Sequence, residues 1–303
     1  MYNVPDQTGK RFIITGANSG TGKEAAKRIA AAGGSVVMAV RTPAKGDSAR
    51  EEILRAVPGA DVEVRQVDLA DLASVRSFAS SLLAEQKPID VLVNNAGVMA
   101  PPKRLTTVDD FELQFGTNFL GPFALTNLLL PRILESPTGR VATMSSFVAN
   151  FGKIDLHDLE WNSRRYVPFS AYGQSKLADM LLGRQLAAFS EQHGWPLIST
   201  IAHPGYTRTN LQTAGANLGR ETPKQPAERS RPWMQEVEQG AEPLIFAAAD
   251  PSAEQGAYYG PAGFMGLVGP TKRTAIPRSG RSDELASALW TAAEKLTGTS
   301  LPA

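Results

Sequence analysis

Six short apolar, β-prone runs punctuate this chain, at Arg11–Thr15, Ser35–Val40, Val62–Val67, Val91–Asn94, Arg140–Met144 and Leu197–Ala202. Longer stretches with helical spacing lie between them, at Gly22–Ala32, Asp47–Ala56, Leu72–Glu85, Phe111–Leu134 and Ala171–Phe189. Such alternation predicts an α/β fold whose central, mostly parallel sheet is flanked by helices on both faces. One stretch shows the logic in miniature. Asp71 stands at a helix cap, and Leu72, Val75, Phe78, Ala79 and Leu82 follow on one face. The chain has 303 residues, 42% of them hydrophobic, enough for the core of one large domain spanning 1–303. Ligands of such sheets sit beyond the carboxyl ends of the strands, so functional residues are expected just after them.

Composition excludes several classes of function. The net charge is +1, with both signs interspersed, so neither nucleic acid nor an anionic membrane is an expected partner. The absence of cysteine excludes disulfides, thiolate metal sites and cysteine nucleophiles. His157, His193 and His203 lack metal-ligand spacing, and no metal is expected. For His203, near the site, packing or hydrogen bonding is the favoured role. Asp109 and Asp110 read as a helix-start feature rather than a metal site. The segment Met1–Lys10 lacks a signal-peptide pattern, and no uninterrupted apolar run reaches ~18 residues. The expectation is a soluble, cytoplasmic chain without a membrane anchor.

Two segments break the rhythm. Phe147–Ser170 separates a strand from a helix where about 2–6 residues would suffice, and it reads as an insertion at 147–170. Gly205–Pro232, with Pro223, Pro226 and Pro232, reads as a flexible substrate loop at 205–232, since too little chain follows for another domain. Trp161, Tyr166, Phe169 and Phe151 either wall a substrate pocket or pin the insertion to the core. Trp233 and Met234 either close over substrate or begin an ordinary helix.

The first strand runs into Gly16-Ala17-Asn18-Ser19-Gly20-Thr21-Gly22, and a helix follows. Glycines there permit a tight turn and let backbone N–H groups approach a pyrophosphate. The plain alternative is an ordinary strand-to-helix turn. A dinucleotide site that selects NAD places an acid at the end of the second strand, whereas NADP sites place arginine there. Here the position is held by Arg41, with Lys45 behind it and no acid. A guanidinium clamps a phosphate that a carboxylate would repel, so NADP(H) is the expected cofactor, with Lys23 a candidate second cation.

Tyr172 and Lys176 share a helix face, and a neighbouring ammonium favours the phenolate over the phenol. Alone, that spacing carries little weight. It gains weight beside Asn94-Asn95-Ala96-Gly97 after the fourth strand, Asn118 in an apolar helix, Ser145-Ser146 after the fifth strand, and Pro204-Gly205 with Thr209 after the sixth. In this set and order the chain resembles the short-chain dehydrogenase/reductase family, over roughly its first two-thirds. The resemblance implies a single NADP-binding Rossmann domain and oxidoreduction of a carbonyl or alcohol. It implies that Tyr172 is the general acid/base and that Lys176 tunes it and holds the nicotinamide ribose. Ser146 would polarise the substrate oxygen, and Asn118 would hold a water that relays protons from Lys176. Cofactor contacts implied are Gly16, Asn18, Ser19, Gly20, Thr21, Gly22, Arg41, Lys45, Asp68, Leu69, Asn95, Ala96, Gly97, Tyr172, Lys176, Pro204, Gly205, Thr207 and Thr209.

Thr21 departs from the aliphatic residue usual in the family. The insertion resembles the retinol-dehydrogenase-like and protochlorophyllide-reductase-like branch. The absent cysteine argues against the latter reaction, and the apolar anchor of membrane-bound retinol dehydrogenases is missing. Members similar to this chain assemble through helices equivalent to Phe111–Leu134 and Ala171–Phe189, so a homodimer or homotetramer stands beside a monomer. Alternatives to a carbonyl reductase are an NAD(H)-preferring dehydrogenase, a nucleotide-sugar epimerase or dehydratase, and a non-catalytic NADP sensor.

Overall fold

Strands β1 (Arg11–Thr15), β2 (Ser35–Val40), β3 (Val62–Gln66), β4 (Val91–Asn94), β5 (Gly139–Met144) and β6 (Leu197–Ala202) form where the apolar runs lie. The computed structural model describes residues 1–209, 211–220 and 234–302. It adds β7 (Tyr258–Pro261) and β8 (Thr271–Thr274). The sheet order is β3-β2-β1-β4-β5-β6-β7-β8, parallel from β3 to β7, with β8 antiparallel to β7 at the edge. Chain order reverses between β1 and β4, which opens a crevice at their carboxyl ends.

The helices are α1 (Gly20–Ala31), α2 (Pro43–Ala56), α3 (Leu72–Ala84), α4 (Leu113–Phe115), α5 (Gly121–Leu134), α6 (Pro168–His193), α7 (Leu211–Asn217), α8 (Val237–Gly240), α9 (Glu242–Ala249) and α10 (Asp283–Thr297). Successive strand residues point to opposite faces, and each face has its own core. Ile13, Val37, Leu92, Val141 and Ile201 pack under α3, α5, α6 and α10. Phe12, Ile14, Val36, Val93 and Ala202 pack against α1, α2 and α9. At the start of α3, Asp71 accepts from the Ala73 and Ser74 amides.

The stretch expected as one helix over 111–134 is broken. Glu112 caps α4, a π-helical turn runs from Gly116 to Leu120, and α5 follows. Of the acidic pair before it, Asp109 serves the start of another helix, accepting from the Leu72 amide at the beginning of α3, and Asp110 sits at φ +63°. Trp290 of α10 packs edge-on against Phe123 of α5 and Phe189 of α6. The chain's own last helix therefore lies across the two helices on which assembly was expected.

The insertion begins with a 3-10 turn, Phe147–Phe151, and ends where α6 starts. Its aromatics divide into buried and exposed rings. Trp161 is buried under the Arg164 guanidinium, 3.7 Å from its ring centre, and meets Tyr166 edge-on. The Tyr166 hydroxyl donates to Glu112 at 2.8 Å, and Gln174 of α6 donates to the Leu159 carbonyl at 2.7 Å. These groups pin the insertion to the core, whereas Phe151 and Phe169 remain 72% and 58% exposed. Of the expected substrate loop, residues 221–232 lie outside the described residues, as does Trp233. Residues Leu211–Asn217 within it are helical.

Candidate active site

The crevice beyond β1 and β4 is built from two polar turns locked together. Thr15, the last residue of β1, accepts at its hydroxyl from the Asn95 and Ala96 amides. Asn95 returns the contact, donating its carboxamide to the Thr15 carbonyl at 2.9 Å and accepting from the Thr21 hydroxyl at 2.9 Å. That last bond explains the polar residue at position 21: it closes the lock. Gly16 has φ +67°, and a Cβ there would lie 2.9 Å from Ala96 Cα, so the turn needs glycine. Ser19 caps α1 without a side-chain hydrogen bond, which leaves the first amides of the helix beside Asn18 and Gly20 without a protein cap. Such an end suits a phosphate anion.

Residues far apart in sequence line this turn. The Thr209 methyl sits 3.5 Å from the place a Cβ on Gly20 would occupy. Pro204 and Gly205 are held from beneath, since the Thr207 hydroxyl and the Gln235 carboxamide both donate to the Pro204 carbonyl, at 2.6 and 2.7 Å. Gly205 has φ +64°, and the Leu267 carbonyl fills the space its side chain would need. Thr207 is buried against Gly240, so its hydroxyl braces the segment's backbone. At the sheet's other side, Asp68 accepts from the Ala70 amide in the turn after β3, and Leu69 is buried beside Gly121.

Arg41 and Lys45 are exposed at the end of β2 and the start of α2. Among the described residues neither takes part in an ion pair. Lys23 differs, because it is bound to Glu52 at 2.6 Å and is therefore occupied. The end of β2 thus presents two uncommitted cations, an arrangement that fits the 2′-phosphate of NADP.

Tyr172 and Lys176 lie side by side on α6, both buried, facing the carboxyl end of β5. The two serines after β5 point apart. Ser145 donates to the Lys176 carbonyl at 2.6 Å and ties strand to helix, while the Ser146 hydroxyl accepts from the Val148 amide and lies near the Tyr172 phenol. The Lys176 ammonium donates to the Met144 carbonyl at 3.0 Å and to Asp179 at 2.8 Å. A Cβ on Gly97 would lie 3.7 Å from that ammonium, which puts the turn after β4 against α6. Asn118 sits in the π-helical turn. Its carboxamide accepts from the Val98 amide at 2.7 Å and donates to the Val98 carbonyl at 3.0 Å and to Ser175 at 2.9 Å. The amide is fully partnered, and the helical irregularity holds it there.

Burial pushes the Tyr172 phenol above its ordinary value; Lys176 and the nearby Ser146 hydroxyl pull it down, and Asp179 pushes it further up. The expected pull of Lys176 is present, but burial outweighs it. Lys176 itself sits above its ordinary value, because Asp179 and Tyr172 more than offset a burial that opposes its charge. His203 is buried, accepts from the Gly205 amide at 3.3 Å and leans on Tyr258; burial alone lowers it to about 4. Sequence reasoning missed two residues here. Thr15 is the hub of the lock, and Asp179 completes the lysine's shell. A carboxylate three positions after Lys176 on an apolar helix was the available signal for the second.

Residues 10–217 match the short chain dehydrogenase family. The chain is 36% identical over 299 residues to retinol dehydrogenase 13 from Homo sapiens, covering 97% of this chain and 86% of that protein. It is 38% identical to polyprenol dehydrogenase from Mus musculus, with the same coverage of each. Among solved structures, an uncharacterized protein from Mycobacterium Paratuberculosis is similar with TM-score 0.81 and 39% identity, covering 99% of this chain and 98% of that one. A protein assigned as an NAD(P) dependent gluconate 5-dehydrogenase from Beutenbergia cavernae, with bound NADP, is similar with TM-score 0.63 and 26% identity over 84% of this chain and 95% of that one.

Proposed function

The chain belongs to the short-chain dehydrogenase family, in its retinol-dehydrogenase-like branch, and from that premise we propose that it moves a hydride between NADP(H) and a carbonyl or alcohol of a small, largely apolar molecule. The observation that carries this reading is the convergence of Tyr172, Ser146 and Lys176 at the end of β5, next to the Gly97 turn. When bound, the nicotinamide would supply or accept the hydride at the carbonyl carbon. The chain's own part is the proton. In reduction, the Tyr172 hydroxyl gives its proton to the carbonyl oxygen while Ser146 donates a hydrogen bond to that oxygen. Lys176 then stabilises the phenolate that remains, and oxidation runs the same transfers backwards.

Arg41 and Lys45 support the choice of NADP(H), and Gly16 to Gly22 would hold the pyrophosphate. An apolar substrate accords with the exposed rings of Phe151 and Phe169 on the stretch of chain between Ser146 and Tyr172, and with relatives named for retinol and polyprenol, both apolar alcohols. Epimerase chemistry is disfavoured because the glycine turn is G-x-x-x-G-x-G, and a sensor role because the tyrosine and lysine are both kept.

The test is a panel of aldehydes, ketones and alcohols followed by NADPH absorbance in both directions. Turnover of at least one apolar carbonyl compound with NADPH preferred over NADH is expected. No turnover across the panel would sink the enzyme reading, and preference for NADH would sink the cofactor choice.

A further inference from the structure

A carboxylate with no place in the chemistry above sits within the site. Asp179 lies one turn beyond Lys176 on α6, and its side chain and the lysine's are only 2% and 4% exposed. One carboxylate oxygen is 2.8 Å from the Lys176 ammonium, and the other is buried with no hydrogen-bond partner. A buried ion pair with an unsatisfied oxygen is a poor way to stabilise a helix, since desolvation of the carboxylate consumes most of the attraction. Its placement makes sense as an influence on the ammonium.

We propose that Asp179 is a positioning residue, which holds the Lys176 ammonium against β5 and weakens its pull on Tyr172, so that the tyrosine stays protonated and ready to donate. This rests on the reading of Tyr172 as acid/base. The same lysine serves both partners, and each charge it shares with the carboxylate is withdrawn from the phenolate. The effect is large in a site from which water is excluded.

The neighbouring groups leave this relation undisturbed. From β5 come the neutral Ser146 and the Met144 carbonyl, and from the π-helical turn the neutral Asn118. His203, just after β6, is held neutral by burial. On the insertion side, Glu112 is bound to Tyr166, and Arg164 to Asp158 and Gln174. Further along α6, Arg184 is paired with Asp283 of α10. Burial pushes Asp179 up to about 7 against the pull of Lys176, so the carboxylate carries its charge in the alkaline range where the phenol titrates.

The experiment is a tyrosinate absorbance titration of the folded protein and of Asp179→Asn, with Tyr172→Phe in each background to isolate the one phenol. Removal of the carboxylate should lower the Tyr172 midpoint by about one pH unit. The alkaline limb of alcohol oxidation should move the same way, and carbonyl reduction at pH 8 should fall. An unchanged or raised midpoint overturns the proposal, as does loss of the fold in both Asp179→Asn and Asp179→Ser, which would make the residue purely structural. A shifted midpoint in a protein that turns over no carbonyl compound would leave Asp179 in its role and remove the enzymatic reading instead.

Discussion

Helices α6 and α10 lie against each other, yet they are buried for opposite reasons. From Tyr172 to Asp179, α6 buries a phenol, a carboxamide, a hydroxyl, an ammonium and a carboxylate. The side chains that α10 buries are Ala286, Leu289, Trp290, Ala293 and Thr297, four of them non-ionisable apolar groups. Most polar groups on α6 find a partner inside the protein, the second Asp179 oxygen excepted, and Ser145, Asn118 and the Leu159 carbonyl are supplied from three separate segments. On α10 the main requirement is shape, met by the indole of Trp290 between two phenyl rings, and its buried polar groups are satisfied within the helix, Trp290 by Glu294 and Thr297 by the Ala293 carbonyl. One helix spends stability to hold reactive groups in place; the other restores it by area and packing.

The sharpest break of that comparison is Tyr172→Phe. Turnover should fall about a thousand- to ten-thousand-fold, while the melting temperature changes little, since the ring keeps its packing and only a hydroxyl is removed. Steady-state kinetics with calorimetry checks both halves. Trp290→Ala should do the reverse, costing about 3–5 kcal/mol in a denaturant titration while the folded fraction keeps its kcat. A large loss of kcat without unfolding would show that α10 shapes the site after all. Arg41→Asp, remote from both helices, should lower the preference for NADPH over NADH by about ten- to a hundredfold in kcat/KM and leave Tyr172 chemistry with NADH intact. Asp71→Ala removes two amide contacts at the start of α3 and should cost about 1 kcal/mol with no change in kinetics.

The same contrast explains what was legible. Strands β1, β2, β4 and β6 have the boundaries their apolar runs mark, because strands buried on both faces announce themselves by composition. β7 and β8 do not: four residues each, one ending in proline and the other written Thr-Lys-Arg-Thr at the sheet's edge, they form through pairing rather than intrinsic preference. The π-helical turn at Gly116–Leu120 was invisible for a similar reason. It exists because Asn118 is clamped to Val98, a contact made across the fold. α10 carries a start signal at Ser282 and a glycine stop at Gly298, signals of the ordinary kind that mark a helix without tying it to the site. Site residues after strands were findable through motif order. Asp179 belongs to no such motif; its one signal is the spacing of three residues from Lys176, and its meaning comes from the charge it touches.

The Leu267 carbonyl closes over Gly205 and accepts from the Tyr206 amide at 2.8 Å. That contact has a consequence in time. During synthesis from the N-terminus, the glycine turn, Asn118, Ser146, Tyr172 and Lys176 all leave the ribosome before Leu267 exists to seat the last site loop. The β7–β8 hairpin must form and β7 must join the sheet beside β6 before Pro204 to Thr209 have a floor. A nascent chain can therefore pair its strands β1 to β6 while the crevice is still open on one side, and the crevice acquires that wall only once Leu267 has been made.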